Sequence, residues 1–419
     1  MRKNGKPQTF SNLAVGMVQF LFLTAPVTAQ IPCSYDVQII ASPLDCGLGT
    51  VNTFGLGLNE NGAVVGYYKC PLWENFQGFM WTAEAGFEAL DPPQGVVEVF
   101  PRDINNNGII CGTLRVSGVG NRGFVYDDGV WTILPPVVDV PGAWSSAAAI
   151  NNAETVVGQR SITEGLNPQN AYIWSAEKGF TDLGVMNGAN SAATAVSASS
   201  LVTGWIGNGT TVSDGFLWED GSVELLGPVP GGFTTTPNAV AMSGAIVGSG
   251  LIRLKGAPIG ASRAFLWENR EFRMLVTLPD HTRSRANDIT SDRRQVVGRS
   301  WNVDDNPNIA HGFIWSDGIM TNLNDLVSPD LEIVIRSAAA IANASHILAN
   351  GDDPTPTAVA FLLAPVEEPV GDLNEDCHVG VIDLLILFGS WGDPKSPADL
   401  NSDGIVDHLD LMILLDNWG

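Results

Sequence analysis

The chain has 419 residues, more than one typical domain needs, with 45 acidic residues against 21 basic and a formal net charge of -24. So acidic a surface repels nucleic acid and anionic membranes, and it suits a secreted, soluble protein or one that handles calcium. Five cysteines are too few for a disulfide scaffold of this length.

Residues 1–29 read as a secretory signal. Arg2, Lys3 and Lys6 form a positive start, "LAVGMVQFLFLT" at 13–24 is the apolar centre, and Val27 and Ala29 are the small residues before cleavage after Ala29. The apolar run is short for a membrane span, and no other stretch is long enough, so no membrane insertion is expected. Cys33 and Cys46 are close enough in sequence to staple the mature N-terminus in an oxidising compartment. Cys70 and Cys111 form the next available pair, which leaves Cys377 over. Burial as small apolar residues is the alternative for each.

Residues 30–363 repeat themselves. A polar turn, two apolar residues and Gly recur as "NENGAVVG" to Gly66, "NNNGIICG" to Gly112, "NNAETVVG" to Gly158 and "SASSLVTG" to Gly204. They recur again as "AMSGAIVG" to Gly248 and "TSDRRQVVG" to Gly298, at steps of 46, 46, 46, 44 and 50, with a degraded copy ending at Asn350. A second phrase follows each: "GFMW" to Trp81, "GFVY" to Tyr126, "AYIW" to Trp174, "GFLW" to Trp218, "AFLW" to Trp267, "GFIW" to Trp315 and "AFLL" to Leu363. A third apolar run precedes each new unit, and "YDVQIIASPLDCG" supplies it for the first. Short apolar runs punctuated by Gly, Pro, Asn and Asp are a strand rhythm. About four strands per unit and a period near 46 predict a mainly β fold, a seven-bladed β-propeller, rather than a sandwich or solenoid. The terminal Trp or Tyr of the second phrase is expected to pack between blades, and the Gly to mark a tight bend or close backbone approach.

"INNNGIICG" and "HGFIW" resemble the HAF repeats of bacterial extracellular proteins. The resemblance covers about four fifths of the chain and implies no defined activity. Only His311 keeps the repeat's His; Gln77, Arg122, Asn170, Asp214, Arg263 and Val359 stand in the other units. A ligand role shared by all blades is therefore not expected at that position.

No catalytic constellation stands out. The five histidines lack a metal spacing, and no GxSxG elbow or phosphate-binding loop occurs. The paired acids at 127–128, 304–305 and 352–353 sit in turns and read as solvated charge. "SDGFLW" at 213–218 has the wrong spacing for a sialidase Asp-box. A propeller gathers either a binding surface or an active site from several blades, so acids clustered at one channel mouth would favour an enzyme.

Residues 364–371, with "APVEEPV", form a Pro- and Glu-bearing linker. Beyond it, "DLNEDCHVGVID" and "DLNSDGIVDHLD" repeat at an offset of 27. Asp372, Asn374, Asp376, His378 and Asp383 fall at positions 1, 3, 5, 7 and 12 of a calcium loop; Asp399, Asn401, Asp403, Ile405 and Asp410 repeat the series, with Asp407 added at position 9. Calcium is a hard cation that takes six to eight oxygens, and alternate side chains of a tight loop converge on one point. Two Ca2+ sites are expected. The second is expected to bind more tightly, because it has Gly404 at position 6 where the first has Cys377, and because it carries the extra acid.

Each loop leads into an apolar helix, and no helix precedes either. Loop then helix, twice, with Asp at position 12, resembles the type I dockerin domain over residues 372–419. The resemblance implies a calcium-folded, all-α module that docks to a cohesin domain on another protein, often in polysaccharide-degrading systems. The family's usual polar recognition pair is replaced here by Val381-Ile382 and His408-Leu409. The periodicity pairs Leu384, Leu387, Phe388 and Trp391 with Leu411, Leu414, Leu415 and Trp418 as the internal faces. Ile382, Leu385, Ile386, Leu409, Met412 and Ile413 are left as a partner-binding face, with covering by the propeller as the rival.

These readings describe a secreted, non-catalytic binding or scaffold protein. Its tail meets a cohesin-like or cell-surface partner and its propeller meets a ligand, a glycan among the candidates. The alternative is a carbohydrate-active enzyme, an O-glycosyl hydrolase or lyase of polysaccharide catabolism, carried by its dockerin.

Overall fold

The computed structural model describes residues 31–419, apart from 43–50, 72, 138–141, 162–168, 184–189, 208–212, 254–259, 293–294, 303–309 and 375. The signal segment, Cys46 and the acid pair at 304–305 lie outside the described residues.

Seven antiparallel four-stranded sheets form a β-propeller. The inner strands are Asn52–Leu58, Val96–Ile104, Ser145–Ile150, Asn190–Val196, Thr236–Val240, Arg283–Ile289 and Val334–Ile341. Each touches the inner strands of both neighbouring blades, so the ring closes around a central channel. Tyr35–Ile40 pairs with Ala358–Pro365, which makes it the outer strand of blade seven. The first apolar run therefore completes the last blade rather than standing as a separate element of the first. The clasp joins the two ends of the propeller chain, and no open sheet edge is left between them.

The recurring glycine is a close approach. A Cβ on Gly158 would lie 2.0 Å from the Ser146 carbonyl oxygen, and one on Gly298 would lie 2.0 Å from that of Arg285. In blade seven the equivalent register falls on Ala349, opposite Ala338, rather than on Asn350. That blade carries a second bulge beside Ile335, and Gly351 makes the close approach there, with its Cβ position 1.8 Å from the Val334 oxygen.

The aromatics of the second phrase do pack between blades, but the deepest one sits two residues before the expected Trp or Tyr. Phe79, Phe124, Tyr172, Phe216, Phe265, Phe313 and Phe361 are all fully buried. Phe79 packs with Ala340, Leu348 and Leu362 of blade seven, and Phe313 with Ala239, Val247 and Leu275 of blade five. Trp81, Trp267 and Trp315 extend the same seams, while Trp174 and Trp218 are only partly buried.

The cysteine expectation is corrected. Cys33 bonds Cys377, across 344 residues, and so ties the start of the propeller to the C-terminal tail. Cys111 is free and fully buried in the seam with Ile109 and Tyr172, so it does not pair with Cys70, which is itself disulfide-bonded. Sequence proximity misled here because the fold brings both ends of the propeller chain to one blade.

The tail holds two helices, α1 (Val381–Gly389) and α2 (His408–Asp416). Its own small core is Val379, Leu387, Ala398, Val406 and Leu414. Among the described residues no helix is long and apolar enough to cross a membrane.

Candidate functional site

The polar turns of the repeat form a ring at one mouth of the channel. Asn105 shows the device. Its Oδ1 accepts from the backbone N–H groups of Asn107 and Ile109, which shapes its own turn, and its Nδ2 donates to the Asn151 carbonyl one blade on. Asn59 donates to the Asn105 carbonyl and Asn151 to the Ser197 carbonyl in the same way. The Asn343 N–H donates to Glu60 Oε2, which links blade seven back to blade one.

Inside this ring, all seven blades line a cavity of ≈ 190 Å³ that includes Glu60, Asp103 and Asp288. Asp103 accepts from the N–H groups of Ile104 and of Ile150 in the next blade; Asp288 accepts from Ile289 and from Ile341 in the next blade. Burial pushes the Asp103 carboxyl up to about 6, against the two N–H donors. Burial likewise pushes Asp288 up to about 7; its N–H donors oppose this, and the Asp103 and Glu60 charges add to it. Both oxygens of each aspartate are thus engaged by backbone as staples between blades.

Deeper in the channel a second cavity, ≈ 430 Å³, is lined by residues from six of the seven inner strands. Each inner strand has a β-bulge, and the extra residue is Leu56, Arg102, Ala148, Thr194, Asn238, Asn287 or Ala339 in turn. A bulge leaves one residue out of the ladder and re-aims its side chain. Six of these seven residues line the cavity, joined by Arg285 and Arg299. No motif search finds this set, because its members lie tens of residues apart. The available signal is positional: each falls ten or eleven residues before the recurring glycine or its register equivalent.

The tail gathers the expected carboxylates of its first loop, and its second loop repeats the backbone hydrogen bonds without its acids meeting the same spacing. In the first loop, Asp372 accepts from the N–H groups of Asp376 and Cys377, Asn374 Oδ1 accepts from Asp376, and Asp376 accepts from His378. The second loop repeats this bond for bond, with Asp399, Asn401, Asp403, Gly404 and Ile405. Asp383 and Asp410 at position 12 are 1% and 0% exposed and reach back to the N–H groups of Gly380 and Asp407. Burial acts to raise both carboxyls, but the N–H donors outweigh it and hold both below the ordinary carboxylate range. Carboxylate oxygens of Asp372, Asp376 and Asp383 lie within 4.8 Å of one another. Asp407 caps α2 through the Leu409 N–H. An all-oxygen donor set of carboxylates and an amide fits a hard divalent cation.

Cys377 at position 6 has φ +71°, and Gly404 in the second loop has φ +93°. The bend demanded at that position is thus present in both loops.

The helix faces are only partly as expected. Leu387 and Leu414 are fully buried against each other's helices, with Leu384 and Leu411 beside them. Phe388, Trp391, Leu415 and Trp418 are exposed instead of internal. Phe388 and Leu415 lie within α1 and α2 but on the side turned away from the small core, and Trp391 and Trp418 lie beyond the helix ends. Ile382, Leu385, Ile386, Leu409 and Met412 are exposed as expected, Leu385 by 63%, while Ile413 is half-buried. The propeller does not cover this face.

No protein-family model matches the chain, and no curated protein does. Among solved structures, it is similar to an oligogalacturonate lyase from Vibrio parahaemolyticus, with a TM-score of 0.50 and 11% identity over 81% of this chain and 99% of that one. It is also similar to the β-propeller domain of the Trilobed protease from Pyrococcus furiosus, with a TM-score of 0.48 and 11% identity over 74% of this chain and 93% of that one. At such identities the likeness is one of fold.

Proposed function

We propose that this is a secreted binding or scaffold protein: the propeller (residues 30–363) holds a ligand in its channel, and the tail (372–419) binds two calcium ions and docks to a partner. The observation that carries the reading is the bond-for-bond identity of the two tail loops. Loop geometry repeated at this fidelity, with oxygen donors only, is what a calcium pair requires. Asp372, Asn374, Asp376 and Asp383 would hold one ion and Asp399, Asn401, Asp403 and Asp410 the other, with the carbonyls of His378 and Ile405 adding to the shells. Asp407, which caps α2 and has only Gly380 as its counterpart in the first loop, would add negative charge near the second ion and so favour tighter binding there.

The apolar face of α1 and α2 supports docking to a protein with an apolar patch, such as a cohesin-like or cell-surface protein. A disulfide between Cys33 and Cys377 suits an oxidising compartment and so supports secretion after removal of residues 1–29. The test is capture from an extracellular extract with the immobilised mature chain, with calcium and with chelator, beside an Asp372→Ala/Asp399→Ala variant. Retention only with calcium, and only on the native chain, supports the reading; calcium-independent retention or none contradicts it.

The second reading, a carbohydrate-active enzyme, is favoured by Glu60, Asp103 and Asp288 meeting at one channel mouth, the two aspartates with raised carboxyls. Release of reducing sugar from polysaccharides, lost in Glu60→Gln, would decide for it. Glu60 is the acid of the three that keeps an exposed side chain.

A further inference from the structure

We infer that the ≈ 430 Å³ channel cavity is an anion-binding site for a small organic molecule bearing two or more carboxylates. This names the ligand class of the propeller surface proposed above and rests on that reading. The first observation is charge placement. The chain carries 24 more acidic than basic residues, yet the cavity gathers three arginines, Arg102, Arg285 and Arg299. Among the described residues the arginine–carboxylate pairs use Arg115, Arg160, Arg270 and Arg336, and none of the three cavity arginines has such a partner.

The second observation is strain in the sheet. Arg285 and Arg299 stand directly opposite each other on paired strands of blade six. Like charges in that relation destabilise a sheet. Arg285 is held there by one hydrogen bond to Asn238 Oδ1, its Nε is buried with no partner, and Arg299 lies over the Trp301 ring at 4.8 Å. Burial and the neighbouring Arg299 both hold the Arg285 guanidinium below its ordinary range. An anion seated between the two guanidiniums would offset both the burial and the repulsion. A planar carboxylate matches the guanidinium fork, and an oxyanion restores the partner that Nε lacks.

The third observation sets the ligand's shape. Arg102 comes from blade two, on another side of the ring from blade six, and projects from the bulge position into the same cavity. A single compact ion meets one side; a molecule with separated carboxylates meets both. Seryl and amide groups of Ser337, Asn287 and Asn350 line the space between.

The experiment is calorimetric titration of the mature chain with tricarballylate, sulfate and a neutral oligosaccharide, at constant calcium and low ionic strength, alongside thermal unfolding. The native chain is expected to bind tricarballylate and to unfold at a higher temperature in its presence. Arg102→Gln and the double variant Arg285→Gln/Arg299→Gln are each expected to weaken binding by about tenfold or more. The double variant, relieved of repulsion, is expected to unfold no lower than the native chain without ligand, which separates lost binding from lost folding. Unchanged tricarballylate affinity in both variants, or equal binding of sulfate, would overturn the inference. Heat from the neutral oligosaccharide alone would overturn it while sparing the broader binding reading.

Discussion

Cys33 and Cys377, 344 residues apart, are joined by a disulfide with a Cα–Cα distance of 5.4 Å. One partner precedes the outer strand of blade seven and the other is the sixth residue of the first calcium-type loop. The Asp372 carboxylate lies within 4.8 Å of both sulfurs. The covalent link therefore fastens the loop's tightest bend to the propeller.

Breaking that link separates two roles of residue 377. Cys33→Ala/Cys377→Ala removes the tether and keeps the Cβ at positive φ, whereas Cys33→Ala/Cys377→Gly also relieves that backbone strain, by about 1 kcal/mol. Both are expected to unfold the tail at lower denaturant, by roughly 2–4 kcal/mol, with the Ala form lower. Limited proteolysis at the helices, resolved against the propeller, measures this.

The channel carboxyls give a pH dependence. Asp103 and Asp288 hold protons in the folded chain up to about 6 and about 7, well above the ordinary value of 3.8. Between those limits the folded state binds more protons than the unfolded one, so stability falls as pH rises from about 4 to about 7. For Asp288 the fall is on the order of 2–4 kcal/mol. Asp288→Asn is expected to flatten the profile. Asp383 and Asp410, whose carboxyls are lowered, act in the opposite sense and below this window. Chemical denaturation across pH 4–8 measures it.

The Asn ring is expected to govern cooperativity between blades. Asn105→Ala removes one donor to blade three and leaves two turn N–H groups unsatisfied, at a cost of about 2–4 kcal/mol. The exposed neighbour Asn107 is the control, with little expected change on Asn107→Ala. Equilibrium unfolding midpoints compare the two.

Gly158→Ala drives a methyl to 2.0 Å from the Ser146 carbonyl and 2.9 Å from the Tyr172 hydroxyl. A cost of about 3 kcal/mol or more is expected, while Gly62→Ala, in a turn with open space around it, costs only its positive φ. Thermal unfolding separates them.

Much of this was legible in the sequence because it depends on local repetition. The glycine step fixed blade number, and the Asp and Asn spacing located both loops, since each signal lies within a dozen residues. The aromatic seam was legible in kind but two residues off, because Phe79 and Trp81 share one face of a strand and periodicity alone cannot rank their depth. The Cys33–Cys377 bond was not legible, because ring closure sets it. Nor was the meeting of Arg102 with Arg285 and Arg299, because bulges and blade order place those residues, not spacing.

The most direct test of the account is calcium binding by the mature chain, counted by equilibrium dialysis on the native protein and on Asp372→Ala and Asp399→Ala. Two ions per chain, falling to one in each variant with the weaker site lost in Asp372→Ala, is the expected result. No calcium bound by the native chain, or an unchanged count in both variants, would contradict the reading of the tail and of the assembly built on it.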